Sequence, residues 1–266
     1  MAAQSGEIER REIEIHPTRM PPDTPILMEE VVMVQVVVAG ATGLIGRELI
    51  RQLEERADVG FTALVRKAGR LRSISGRVQE VVFDFDDPAA YERLGSEIPC
   101  DVFLCALGST IKAAGSPKAF RKVDLEYPKA FFDRFAQLEA KPLVGVVSSI
   151  GADRPRGLYL TTKAEMEGAL KASGLNHVIV RPSLLMGARR EFRLGERIAQ
   201  MLFKPALFFA KLLAPQSQFL WRYLPIEASA VAHALLLTTL DEPQPASARI
   251  IEGLRLHHPI FVIGGE

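Results

Sequence analysis

From residue 34 onward, short apolar runs alternate with longer stretches whose apolar positions recur at helical spacing. That texture predicts repeated βαβ units and a parallel sheet. Strands are predicted at 34–39, 61–66, 78–83, 101–106, 143–148 and 176–181, each short and almost wholly apolar, as strands covered on both faces must be. Helices are predicted at 44–55, 117–138 and 157–173, the last stopped by Gly174, a residue suited to the left-handed cap position. The fold class that follows is α/β, a doubly wound parallel sheet of the Rossmann kind in a single domain. Beyond Arg181 the pattern loosens, with helical texture at 189–213 and 227–240 and a last short strand at 249–251. The domain is accordingly expected over 34–253, with 184–225 as a small C-terminal substrate lid and 254–266 as a tail. Residues 1–33 mix charges with Pro17, Pro21, Pro22 and Pro25 and read as a flexible arm, although translation from Met28 or Met33 would explain the same texture.

Composition narrows the function classes. Of 266 residues, 48% are hydrophobic and 24% charged, and 33 Lys+Arg against 32 Asp+Glu leave a formal charge of +1. These values exclude disordered, collagen-like and small disulfide-stapled classes. They also exclude a broad basic field for nucleic acid, which depends on neutralising many phosphates. Cys100 and Cys105 are five residues apart. On one strand they would face opposite ways at ~16 Å, beyond disulfide reach, so a reducing, cytoplasmic setting is expected. The longest uncharged run, 31–46, holds three glycines and is too short for a membrane span; no signal peptide is expected either.

The candidate chemistry begins with Gly40-Ala41-Thr42-Gly43-Leu44-Ile45-Gly46, which follows the first strand and opens the first helix. In that context Gly40 permits a tight turn, Gly43 lets the backbone approach a pyrophosphate at the helix N-terminus, and Gly46 lets helix and sheet pack closely. The plain alternative is a turn that needs small residues. A carboxylate about 20 residues later would bind a ribose 2′-hydroxyl, but Arg66 stands there, followed by Lys67, Arg70 and Arg72. NADP (NADPH) is therefore expected over NAD, unless these are merely solvated loop cations. Asp84, with Phe85 beside it, is placed to border the adenine, and Ala106-Leu107-Gly108-Ser109 to pass beneath the adenine ribose.

Tyr159 and Lys163 stand at i and i+4, on one helix face. An ammonium close to a phenol stabilises the phenolate, so that Tyr can exchange a proton near neutrality despite an ordinary pKa of ~10. Ser148 and Ser149 end the fifth strand shortly upstream, where a hydroxyl can orient the reacting oxygen. In this order the glycine loop, Ser148-Ser149 and Tyr159-x-x-x-Lys163 resemble the short-chain dehydrogenase/reductase superfamily. Cys105-Ala106-Leu107-Gly108-Ser109-Thr110, Val123-Asp124, Ser148-Ser149-x-Gly151-Ala152, Leu158-Tyr159-Leu160 and Arg181-Pro182 are similar to its atypical branch of Tat-interacting-protein-like oxidoreductases.

The resemblance implies an NADP(H)-dependent oxidoreductase acting on a small-molecule carbonyl or alcohol substrate. It implies Tyr159 as acid/base, Lys163 on the nicotinamide ribose, Ser149 as the serine orienting the carbonyl, and Pro182 and Ser183 at the nicotinamide end. The superfamily's helix Asn, which holds a relay water, has no counterpart, because the only Asn is Asn176. Asp124 lies in that neighbourhood and is expected to cap or brace the helix. A non-enzymatic NADP(H)-binding interaction protein is the second reading, and a nucleotide-sugar epimerase-like enzyme the third.

Other features carry less. Arg189, Arg190, Arg193 and Arg197 are interleaved with Glu191 and Glu196, which fits a solvated helix better than an anion grip. The apolar stretch 201–221 is broken by Lys204, Pro205, Lys211 and Pro215 and reads as lid or subunit contact. No histidine has ligand spacing, so no metal is expected. Helices 117–138 and 157–173 offer faces for a homodimer, unless those faces pack on the sheet.

Overall fold

The computed structural model describes residues 33–71, 75–186, 218–242 and 248–257. The six expected strands form as β1 (Val34–Ala39), β2 (Val59–Val65), β3 (Gln79–Val82), β4 (Val102–Cys105), β5 (Leu143–Val147) and β6 (His177–Arg181). Two-residue β7 (Leu185–Met186) and β8 (Ile226–Glu227) pair with each other, and β9 (Arg249–Glu252) is the last strand. The main sheet has seven strands in the order β3-β2-β1-β4-β5-β6-β9, every pair parallel. After β3 the chain returns to the other side of β1, so the loops leaving β1 and β4 diverge and open the crevice in which such sheets hold ligands.

Alternation along each strand feeds two cores. Val36, Val38, Val102 and Leu104 pack with Ile45 and Leu49 of α1 (Leu44–Glu54). Val37, Ala39, Phe103 and Cys105 face the opposite layer, where Phe83, Tyr91, Phe131, Phe132 and Phe135 gather. Burial of Phe131, Phe132, Phe135, Met166 and Leu170 shows that the apolar faces of the second layer's long helices pack on the sheet.

The predicted helix 117–138 is divided. After α2 (Pro88–Glu92) and α3 (Ile111–Ala114), α4 (Pro117–Arg121) runs through a π-helical turn (Lys122–Glu126) into α5 (Tyr127–Ala136). Pro128 is the physical reason: it has no N–H for the carbonyl of Asp124, and its ring would press on that carbonyl in a regular helix. The backbone widens instead, and the Tyr127 amide bonds to Lys122 five residues back. Gly157–Ala172 forms α6, followed by Gly174 at φ +71°. The remaining described helices are α7 (Gln218–Tyr223), α8 (Ala228–Leu236) with a π turn at Leu237–Asp241, and α9 (Leu254–His257). The expected helix at 189–213, most of the expected lid and nearly all of the arm lie outside the described residues.

Candidate functional site

The glycine loop has little freedom to be anything else. Gly40 sits at φ +86°, and a Cβ there would stand 2.5 Å from the carbonyl of Ala106 and 2.7 Å from the Leu107 nitrogen. A Cβ on Gly46 would overlap the Gly40 carbonyl oxygen and reach to 2.7 Å of the Ala41 Cα. The first turn of α1 can therefore lie against the β1 loop only with bare backbone. Gly43 is the N-cap, its amide bonded to the Gly40 oxygen at 2.9 Å, and no side chain caps the helix. Thr42 and Gly43 are exposed, Leu44 is half-buried, and Ala41 and Ile45 are buried. An exposed helix N-terminus without a side-chain acceptor suits an anionic group, so the loop fits a pyrophosphate.

Arg66 and Lys67 stand exposed just past β2. A recess of about 350 Å³ between α1 and the loop after β2 is lined by Arg47, Arg51 and Arg70 together with Glu48 and Glu54. Asp84 is exposed past β3, one carboxylate oxygen accepting the Asp86 amide at 2.9 Å. Phe85 is buried against Phe83, Tyr127 and Phe131. Ala106 and Leu107 are half-buried and Gly108 exposed at the end of β4, with the Ala106 amide bonded to Ala39 at 2.8 Å.

On α6, Tyr159 is 38% exposed, with its ring 5.8 Å from that of Phe120. Lys163, one turn on, is buried and forms an ion pair with Asp124 at 2.9 Å, while the second Asp124 oxygen accepts the Ser109 amide at 2.8 Å. A Cβ on Gly108 would lie 3.7 Å from the Lys163 Nζ, which brings the ammonium against the loop after β4. Burial alone would lower the Lys163 pKa, but the adjoining Asp124 carboxylate, with Tyr159 and Cys105 adding less, outweighs it and raises the value. The expectation from sequence is a cap or brace of Asp124's own helix; in the structure Asp124 pairs with Lys163 of α6. It is a fully buried carboxylate that the π turn points at Lys163.

The two serines differ. Ser148 is buried and its hydroxyl donates to Glu167 at 2.6 Å. Ser149 is half-buried, with only a long 3.3 Å bond to the Ile150 carbonyl. Glu167 also receives both forks of Arg181, at 2.9 and 2.6 Å, a bidentate geometry that is strong where water is absent. Burial pushes the Glu167 pKa up, and the hydrogen bonds from Arg181 and Ser148 outweigh it to leave the value lowered. Pro182 is buried and accepts the Ile150 amide at 3.0 Å, and the half-buried Ser183 donates to the Leu224 carbonyl.

Sequence reasoning missed Glu167 and the pairing role of Arg181. A signal existed: Glu167 follows Lys163 by four residues on the stripe of Met166 and Leu170, where a charge needs a buried partner. Among the described residues no group of three or more His, Cys, Asp and Glu is placed to hold a metal, and no helix is long and apolar enough to cross a membrane. Both Cys100 and Cys105 are free thiols.

A family model described as NAD(P)H-binding matches residues 40–198. Among curated relatives, the mitochondrial protein FMP52 of Candida albicans is 32% identical over 172 residues, spanning 62% of this chain and 73% of that protein. FMP52 of Meyerozyma guilliermondii is 24% identical over 220 residues, spanning 82% and 90%. Among solved structures, a short-chain dehydrogenase/reductase family oxidoreductase from Burkholderia thailandensis superposes with a TM-score of 0.62 at 19% identity, covering 85% of this chain and 93% of that one. UDP-glucose 4-epimerase from Thermotoga maritima gives 0.61 at 15% identity, covering 82% and 77%. At such identities the likeness is one of fold. The expectation of a cytoplasmic protein is overturned, because these curated relatives are named mitochondrial. The free thiols Cys100 and Cys105 do not single out a compartment. Matched over more than half its length, and folded as a Rossmann sheet around a bare glycine loop, this chain belongs to the NAD(P)H-binding family.

Proposed function

We propose that the protein is an NADP(H)-dependent oxidoreductase of the short-chain dehydrogenase/reductase type, in the branch of the Tat-interacting-protein-like oxidoreductases, acting on a small carbonyl or alcohol in mitochondria. The observation that carries this reading is the buried Lys163 ammonium beside Gly108, one helical turn from the exposed Tyr159. When bound, NADPH supplies the hydride for a carbonyl carbon. The exposed glycine loop and the N-terminus of α1 hold the pyrophosphate, and Arg66 and Lys67 past β2 favour a 2′-phosphate. Asp84 and Phe85 border the adenine, and Ala106, Leu107 and Gly108 floor the ribose. Ser149, whose hydroxyl is not committed as that of Ser148 is, orients the substrate oxygen. Tyr159 donates the proton to that oxygen, and the Lys163 ammonium stabilises the phenolate left behind. Pro182 and Ser183 line the nicotinamide end.

A fluorescence titration with NADPH and NADH tests the cofactor assignment. Wild type is expected to prefer NADPH, and Arg66→Glu to weaken NADPH binding roughly 10- to 100-fold, the range of one or two charge-assisted hydrogen bonds. Tyr159→Phe should slow reduction of a carbonyl panel about 10²- to 10⁴-fold at unchanged cofactor affinity. Binding of neither cofactor sinks the proposal. Binding with no turnover of any panel member favours an interaction protein, and turnover without net cofactor consumption favours an epimerase-like reaction.

A further inference from the structure

We propose that Asp124 is a positioning residue of this site, the fixed counter-charge that holds the Lys163 ammonium beside the loop after β4, from where it would reach the cofactor's nicotinamide ribose. The inference rests on the reading of Lys163 as a ribose-binding residue. Three observations carry it. Asp124 is fully buried, and a carboxylate is kept in such a place only when charge and hydrogen bonds meet it. Its two oxygens are divided between Lys163 at 2.9 Å and the Ser109 amide at 2.8 Å, so one side chain fixes both the ammonium and the loop after β4. Its direction is set by the π turn at Lys122–Glu126, an irregularity enriched at functional sites, rather than by the regular helix that the flanking sequence would otherwise form.

Among the described residues, the groups around the ammonium leave Asp124 as the one full negative charge. Tyr159 approaches from α6. Cys105, at the end of β4, has its thiol pushed up to about 11 by burial and is neutral at physiological pH. Ser109 contributes only its backbone to the pair. Without the carboxylate, burial of Lys163 is opposed only by the smaller influences of Tyr159 and Cys105, and the ammonium loses its proton at a lower pH than in wild type. A neutral amine neither stabilises a phenolate nor grips a ribose hydroxyl as a charged donor. The role therefore has a signature that a packing role lacks: the variant is competent in acid and fails in base.

The experiment is NADPH titration by fluorescence between about pH 6 and pH 9 on wild type, Asp124→Asn and Lys163→Met. Wild-type affinity should be nearly flat from the lysine's side. Asp124→Asn should match wild type within about twofold at the acid end and weaken about tenfold or more at the alkaline end, approaching Lys163→Met. Equal loss at every pH, or no loss, overturns the inference. Should Asp124→Asn fold poorly, the double variant Asp124→Asn with Lys163→Met decides. Recovery of the thermal midpoint when both charges are gone supports a counter-charge, and a further fall overturns it. Wild type that binds NADPH yet reduces no carbonyl defeats the oxidoreductase proposal while this affinity profile still stands or falls separately.

Discussion

At Gly46 the first turn of α1 passes so near the Gly40–Ala41 peptide that one added methyl has nowhere to go, because its neighbours are backbone atoms. Gly46→Ala is expected to destabilise the fold by about 3 kcal/mol, the upper range for overpacking where neighbours do not yield. It should also abolish measurable NADPH binding; urea unfolding and a fluorescence titration check the two effects. Residues of this kind were legible in the sequence, since a glycine at fixed spacing between strand and helix states a steric requirement directly. Asp124 was not legible. Its neighbours read as regular helix, and in that register a polar residue there is more naturally a brace than the buried partner of a lysine about forty residues away. The sequence resemblance singles out Ser149 as the orienting serine, with Ser148 expected to border the cofactor; the structure instead commits the buried Ser148 hydroxyl to Glu167.

Among the elements, the division between α4 and α5 matters most. Periodicity carried one helix across 117–138 because Phe120, Phe131 and Phe135 all fall on the buried side, and hydropathy registers only which face is apolar. It does not register the missing amide of Pro128. Pro128→Ala restores that donor and allows the regular register to close, turning the backbone at Asp124 by up to ~100°. The regained hydrogen bond, about 1 kcal/mol, and the freer unfolded chain act in opposite directions, so stability should change by less than about 1 kcal/mol. NADPH affinity should nevertheless fall about fivefold, as Asp124 swings off Lys163. A thermal melt beside a titration measures both, and unchanged affinity would show that the turn does not set the carboxylate's direction. The strands were far easier to read, since each is a short apolar run whose ends moved by no more than two residues.

Across the whole molecule, a chain of charges ties together the parts surrounding the site. Ser148 at the end of β5 bonds Glu167 of α6, and Glu167 holds Arg181 of β6. Arg181 reaches Glu252 of β9 at 3.3 Å, and Glu252 and Asp153 both hold Arg222 of α7, at 3.4 and 2.7 Å. The Glu167 pKa is lowered in the folded protein despite burial. Its contribution to stability is therefore complete above the unfolded value of ~4.3 and is lost as pH falls through the lower, folded one. Glu167→Gln should cost about 3 kcal/mol at neutral pH, the low end for a broken buried pair, because Arg181 loses its bidentate partner and keeps only Glu252 at 3.3 Å, and should flatten the acid limb of urea stability against pH. A limb as steep as that of wild type would place the acid sensitivity elsewhere. The pairings in this chain could not be read from the sequence, since they join residues as far apart as 71 positions, whereas the doubly wound parallel sheet follows from the local alternation of strands and helices. Gly40 faces the peptide joining Ala106 to Leu107 rather than any side chain, so nothing opposite can be shortened to make room. A descendant that lost this glycine could not be rescued by a compensating change across the crevice, only by reversion.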